Sequence, residues 1–155
     1  MGEFIWHQWS RFVSISATIY AIWASFFGFF YRKFFWDFVG GTLRDPGGLQ
    51  PSKNVAFFIT VIVKVPVVQI LAMILGFVIL ALEMPLPMLK QYSFYRSFML
   101  RIVLHLLEAF LTVLFYQGTN AALWSIITAL CYSRAISLGE SMAEAKQNRG
   151  RDGPA

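Results

Sequence analysis

Apolar residues along this chain are gathered into four long runs, separated by short polar, glycine-rich or proline-rich connections. The first run covers about 12–31. Arg11 bounds it on one side and Arg32-Lys33 on the other, and it holds no charge inside. A helix of ~20 residues at 1.5 Å rise matches the ~30 Å hydrocarbon core of a bilayer. The second run, 56–82, is longer than one straight crossing needs, and Lys64 and Pro66 interrupt it. Proline either kinks a helix or occupies its first turn. A membrane core over 64–82 is therefore expected, with 56–63 as a helical extension. The alternative is one tilted, kinked helix whose Lys64 snorkels to the interface. The third and fourth runs, 98–116 and 121–138, flank Gln117-Gly118-Thr119-Asn120. Those residues suit a tight turn in which Thr119 or Asn120 caps the next helix, so the two runs form a helical hairpin.

The connections carry their own signals. In 32–55, Phe34, Phe35, Trp36 and Phe38 form a segment too aromatic for a free loop and too short to span. It is expected to lie along the headgroups as an interfacial anchor. Gly40-Gly41 and Pro46-Gly47-Gly48 then break any regular structure. Glu83-Met84-Pro85-Leu86-Pro87 reads as a short rigid link at the surface. The polar tail, 139–155, is expected to be cytoplasmic and to fray into disorder. The predicted fold is all-α: a polytopic membrane protein with four transmembrane helices in one bundle (1–138) and an aromatic interfacial segment between helices 1 and 2.

Composition agrees. Hydrophobic residues make up 57% of 155 and charged residues 14%, against about half and a quarter in soluble domains. So small a soluble domain could not hide that much apolar surface. The net charge of +5 could suggest nucleic acid, but Lys and Arg flank apolar runs and form no basic stripe. Contact with anionic lipid is the expected role of these charges, and the bilayer is the expected partner. With four crossings both termini share a side. That side collects Arg11, Lys90, Arg96, Arg101, Arg134, Lys146, Arg149 and Arg151, against Arg32, Lys33, Arg44, Lys53 and Lys64 opposite. The bias favours cytoplasmic termini. The single cysteine, Cys131, excludes a disulfide framework and a cysteine-based zinc site. No cleavable signal peptide is expected, because Glu3, His7 and Arg11 precede the first run.

The third run holds the pattern richest in chemistry. Arg101, His105, Glu108 and Thr112 recur at spacings of four, three and four, which is one helix face. A charge within a bilayer costs roughly 2.5–3.5 kcal/mol on insertion scales, so it needs a partner or a water-lined cavity. Glu108 lies near mid-depth, and Arg101 is near enough to the end to snorkel. One reading makes Glu108 a proton- or cation-binding carboxyl with His105 as relay. The other makes the stripe a polar seam that locks this helix to its neighbours, with Glu108 bonded to His105 or Gln69. Lys64 and Gln69 are the polar groups of the second run, and a stretched Lys64–Glu108 ion pair is conceivable. A second pattern is one of small residues: Ala17, Ala21 and Ser25 in the first run, and Ala121, Ser125, Ala129 and Ser133 in the last. Faces of this kind let helix backbones approach closely, within the monomer or against another membrane protein or a second copy. Enzyme signatures are missing: there is no His-x-x-x-His pair, no phosphate loop and no Gly-x-Ser-x-Gly elbow. No catalytic residue, metal or cofactor is expected.

Trp6-His7-x-Trp9, the stretch from Phe34 to Thr42, Glu83 to Pro87, Tyr116 to Ala122 and Asn148 to Arg151 together resemble a group of short fungal four-span membrane proteins with no assigned function. The resemblance covers nearly the whole chain and implies a fungal source and a four-span organisation. The function expected is a non-enzymatic accessory or interaction subunit of an endomembrane complex. Short spans suit endoplasmic reticulum or Golgi better than the mitochondrial inner membrane. The alternatives are a small proton- or cation-coupled transporter using Glu108, and a lipid-handling or membrane-shaping protein using Phe34–Phe38.

Overall fold

The computed structural model describes residues 4–33 and 53–142, and among them the chain is helical without a strand. The elements are α1 (Trp6–Phe30), α2 (Ala56–Ile59), α3 (Val67–Glu83), α4 (Pro87–Lys90), α5 (Phe98–Val113) and α6 (Thr119–Ser137). The expected interfacial anchor, Phe34, Phe35, Trp36 and Phe38, lies outside the described residues.

The second run is bent at its proline. After α2, residues Thr60–Lys64 form a π-helical turn, and the axis swings by 65° before α3 begins. Pro66 has no N–H to give to the carbonyl of Ile62, four residues back. The side-chain amide of Gln69 reaches back seven residues and donates to that carbonyl at 2.9 Å. Gln69 therefore satisfies the backbone group that the proline leaves open.

Other ends are set by local chemistry. The Ser97 hydroxyl caps α5, accepting from the Leu100 N–H at 3.1 Å. The turn before α6 differs from expectation. Gly118 holds the cap position without a side-chain cap, and Thr119 and Asn120 already lie in the helix. Glycine is required there because a Cβ would strike the Thr112 carbonyl and the Phe115 ring. α6 ends in a Schellman turn. Gly139, at φ +68°, gives its N–H to the Ile136 carbonyl, and the Glu140 N–H reaches the Ala135 carbonyl at 3.0 Å.

The four long helices form an up-down-up-down ring, α1–α3–α5–α6, with α1 and α5 on the diagonal. The small residues Ala17, Ala21, Ser25, Ala121, Ser125 and Ala129 are buried between α1 and its neighbours, which places them in packing within the monomer. Ser133 is exposed. Steps of four residues advance 400°, so by the third step the stripe has drifted about 120° from Ala121. Tyr132, eleven residues on from Ala121, falls back onto the buried face.

Two apolar clusters close the ends. Phe98, Tyr132 and Ala135 pack near the start of α1, and Ala24, Ile62, Val68, Ala72 and Phe115 pack near its end. Between them the interior is polar. Ser14, Thr18, Gln69, Glu83, Arg101, His105, Glu108, Thr112, Ser125 and Thr128 are buried, whereas Phe12, Trp23, Phe77, Met99, Phe110 and Leu130 are exposed. Among the described residues, α1 alone is long and apolar enough to cross a membrane, or two crossings are reached if the bent α2–α3 pair counts as one.

Candidate functional site

The polar stripe of α5 points into the bundle. Relative to Arg101, residues His105, Glu108 and Thr112 are offset by at most about 40° around the axis, so all of them are buried. Arg101 does not snorkel. Its guanidinium turns inward and donates from Nε to Glu83 Oε1 at 3.1 Å, from Nη2 to the Leu82 carbonyl at 2.9 Å, and from Nη1 to the Tyr95 carbonyl. The Tyr95 and Tyr132 rings lie beside it, 5.4 and 6.0 Å from their centroids to its Cζ.

Glu83 is the centre of this arrangement, and the expected surface link does not contain it. It is the last residue of α3 and is buried at 1% exposure. Its Oε1 accepts from Arg101, from the Ser14 hydroxyl at 2.9 Å and from the Tyr132 hydroxyl at 2.8 Å. Its backbone carbonyl accepts from Arg11 Nε at 2.9 Å. All four long helices thus meet at one carboxylate.

Ser14 also lies 2.7 Å from Nε2 of His105. A hydroxyl has one proton, and Glu83 as a carboxylate can only accept. Ser14 therefore gives its proton to Glu83 and accepts from His105 Nε2–H. The neutral imidazole then carries a lone pair on Nδ1, which is buried without a partner among the described residues.

Glu108 lies one turn deeper. Both of its carboxyl oxygens are buried and unpartnered among the described residues. The Thr112 hydroxyl donates to the backbone carbonyl of Glu108, at 2.7 Å. Gly76 of α3 faces the carboxyl, and a Cβ there would lie 3.8 Å from Oε1. The expected partners are elsewhere. Gln69 is committed to the Ile62 carbonyl. Lys64 is exposed, and its carbonyl accepts from Arg32. The Lys64–Glu108 ion pair is not formed, because the bend at Pro66 carries Lys64 off the axis of α3.

A second constellation ties the two ends of the bundle together. α1 begins without a side-chain cap of its own. The Schellman turn after α6 delivers Glu140 to that position, where Oε1 accepts from the Trp6 N–H at 2.9 Å and Oε2 from the His7 N–H at 2.7 Å. His7 Nδ1 adds a contact of 2.8 Å. A carboxylate on the positive end of a helix dipole is the favoured pairing. Burial works to raise the Glu140 pKa, but the two backbone N–H groups and the imidazole outweigh it and hold the carboxyl below its ordinary value.

A cleft of about 200 Å³ opens beside this end, lined by His7, Gln8, Arg11, Glu83, Tyr95, Arg101, Tyr132 and Met142. Among the described residues no cluster of three or more His, Cys, Asp or Glu could hold a metal.

Glu83, Ser14, Tyr132 and Glu140 were not singled out from the sequence. Gln69, Gly76 and Glu83 lie seven apart on the inward face of α3, and Ser10, Ser14 and Thr18 lie four apart on α1. Those periods are the signals that mark them.

A family model described as a domain of unknown function (DUF7727) matches residues 1–140, and the chain belongs to that family. No curated protein and no solved structure matches it.

Proposed function

We propose that this chain is an integral membrane protein that crosses the bilayer four times, through α1, the bent α2–α3 pair, α5 and α6. In that setting it serves as a non-enzymatic accessory subunit of an endomembrane complex. The observation that carries the reading is the inversion of the bundle: Glu83, Arg101, His105 and Glu108 lie inside with several hydroxyls, and most of its large apolar side chains lie outside. Trp23 and Phe30 on α1, Ile74 and Phe77 on α3, Met99 and Phe110 on α5, and Leu123 and Leu130 on α6 are all exposed. In water such surface costs about 25 cal/mol per Å², and contiguous apolar patches on soluble monomers rarely exceed a few hundred Å². In lipid the cost vanishes, and helices satisfy their own backbone polar groups there.

The modest hydropathy of α6 is compatible with the same reading, since Ser125, Thr128 and Tyr132 in its middle are turned inward and its exposed polar residues Asn120, Ser133, Arg134 and Ser137 lie toward its ends. An average over the helix cannot distinguish a polar core face from a polar surface face. α3, α5 and α6 have 17, 16 and 19 residues, or ~24–29 Å of helix. That length fits the thinner membranes of the endoplasmic reticulum and Golgi. The Lys and Arg excess at the end where α1 begins favours cytoplasmic termini. Because the Glu83 cluster is closed within the chain, it supports a locking role, which leaves the apolar exterior for lipid and for neighbouring spans.

The test is cysteine accessibility in sealed vesicles, with Cys131 replaced by Ser and single cysteines at Met88 or Asn120. Four spans place the two positions on opposite sides, so an impermeant reagent labels one of them only. Labelling of both from outside sinks the four-span reading. The accessory role predicts stoichiometric co-purification with another membrane protein in mild detergent. Recovery of a monodisperse monomer under those conditions overturns it.

A further inference from the structure

We propose that Glu108 is a proton-binding site served from one end of the bundle only, through His105, Ser14 and Glu83. The inference rests on the membrane reading and goes beyond the accessory role.

Among the described residues, the carboxyl of Glu108 has no counter-ion. Between Arg11 and Arg32, α1 and its end carry only Tyr20 and Tyr31, both exposed; α3 offers only Glu83; and α6 carries Tyr132, the half-buried Cys131 and the exposed Arg134. On α5 itself Arg101 is engaged by Glu83 and by backbone carbonyls. An ionised carboxylate buried without a partner is expensive enough that such a group neutralises itself instead, and a proton is the only neutraliser that needs no coordinating shell.

The hydrogen bonds supply a route for that proton. His105 Nε2 to Ser14 Oγ is 2.7 Å, and Ser14 Oγ to Glu83 Oε1 is 2.9 Å. Glu83 borders the cleft that also holds His7 and Arg11. Nδ1 of His105 and the Glu108 carboxyl, both unpartnered, lie one turn apart on the same face, so a rotamer change or one bridging water joins them. In the unloading step Glu108 gives its proton to Nδ1. Nε2 gives its hydrogen to Ser14, and Ser14 passes its own to Glu83 Oε1. The net change is one proton moved from Glu108 to Glu83, with the imidazole neutral at the end as at the start. Loading is the reverse.

Among the described residues, the opposite end offers no continuation. Ala24, Ile62, Val68, Ala72 and Phe115 close it. Of the polar side chains there, the Gln69 amide nitrogen and the Thr112 hydroxyl donate to backbone carbonyls, and the buried Ser25 and Ser125 hydroxyls have no hydrogen-bond partner among the described residues, so no chain of bonds leaves the carboxyl on that side. The site is a dead end that responds to pH on one side, not a path through the membrane. Protonating Glu83 also weakens its hold on Arg101, which links occupancy to the lock between helices.

The test uses the full chain in phosphatidylcholine vesicles of determined orientation. Vesicle flotation is read separately, so a failure of the membrane reading shows as protein that does not float. Infrared difference spectra of wild type against E108Q isolate the protonated carboxyl band. The expected result is a band that disappears when pH is raised on the side of the chain termini alone. S14A and, as a second break in the route, H105F keep the band but slow its deuterium exchange by about 10²-fold. No band in wild type, a response from the opposite side, exchange at the wild-type rate in both variants, or a transmembrane proton flux lost in E108Q would each overturn the proposal.

Discussion

Glu83 Oε1 lies 3.1 Å from Nε of Arg101, with both side chains within 2% of full burial. The two residues close the connection between α3 and α5. The same oxygen draws in Ser14 from α1 and Tyr132 from α6. A residue that ends one helix therefore sets the spacing of four.

Removing one partner from such a pair leaves a buried charge uncompensated. E83A is expected to cost about 3–5 kcal/mol, and Y132F, which removes one of three donors, about 1 kcal/mol. Thermal unfolding in detergent checks the ranking. Equal losses from the two substitutions would show that Glu83 is not the centre of the network.

E140A removes the cap from α1 and is expected to cost about 1 kcal/mol. The effect depends on pH with a definite sign. The folded pKa of Glu140 lies below the ordinary value of 4.5. Its contribution is complete above 4.5 and is lost as pH falls through the lower, folded value. The stability gap between wild type and E140A should be flat from neutral pH to about 4.5 and then close as acid is added. A gap that instead widens in acid would exclude the carboxylate cap.

Gln69 and Pro66 should be coupled. Q69L leaves the Ile62 carbonyl buried without a donor, at about 1–3 kcal/mol. P66A restores a backbone N–H within reach of that carbonyl, so the double variant should recover much of the loss. A double-mutant cycle measures this, and additive effects would show that Gln69 does not serve the bend.

Glycine substitutions separate two kinds of constraint. G118A places a Cβ against the Thr112 carbonyl, a backbone atom that cannot move aside. It is expected to cost more than the 1–3 kcal/mol typical of overpacking. At Gly139 nothing lies within 4 Å, and the constraint is φ +68° alone. G139A should cost about 1–2 kcal/mol, and it should also displace Glu140 from α1. Denaturation midpoints of the two variants check the order.

The legible part of the site is the part built on one helix. Arg101, His105, Glu108 and Thr112 share a face because helical spacing alone aligns them. The partners of that face were legible only as unassigned periods. Glu83 reads as a surface residue because prolines follow it two and four places on, yet the helix runs one residue further than its polarity suggests and takes Glu83 in. Ser133 reads as a member of the small-residue stripe, but 3.6 residues per turn carries it away.

The amino-acid sequence by itself determined the helical class, the four apolar runs and the orientation of the α5 stripe, because each depends on composition or on spacing within one element. Tertiary structure alone decided that Glu83 answers Arg101, that Lys64 does not reach Glu108, that Gln69 answers Pro66 rather than Glu108, and that Glu140 caps a helix that begins 134 residues earlier. Those pairings depend on the bend at Pro66 and on the Schellman turn at Gly139. Both set the direction in which an element leaves a turn, and no period along a single helix encodes that direction.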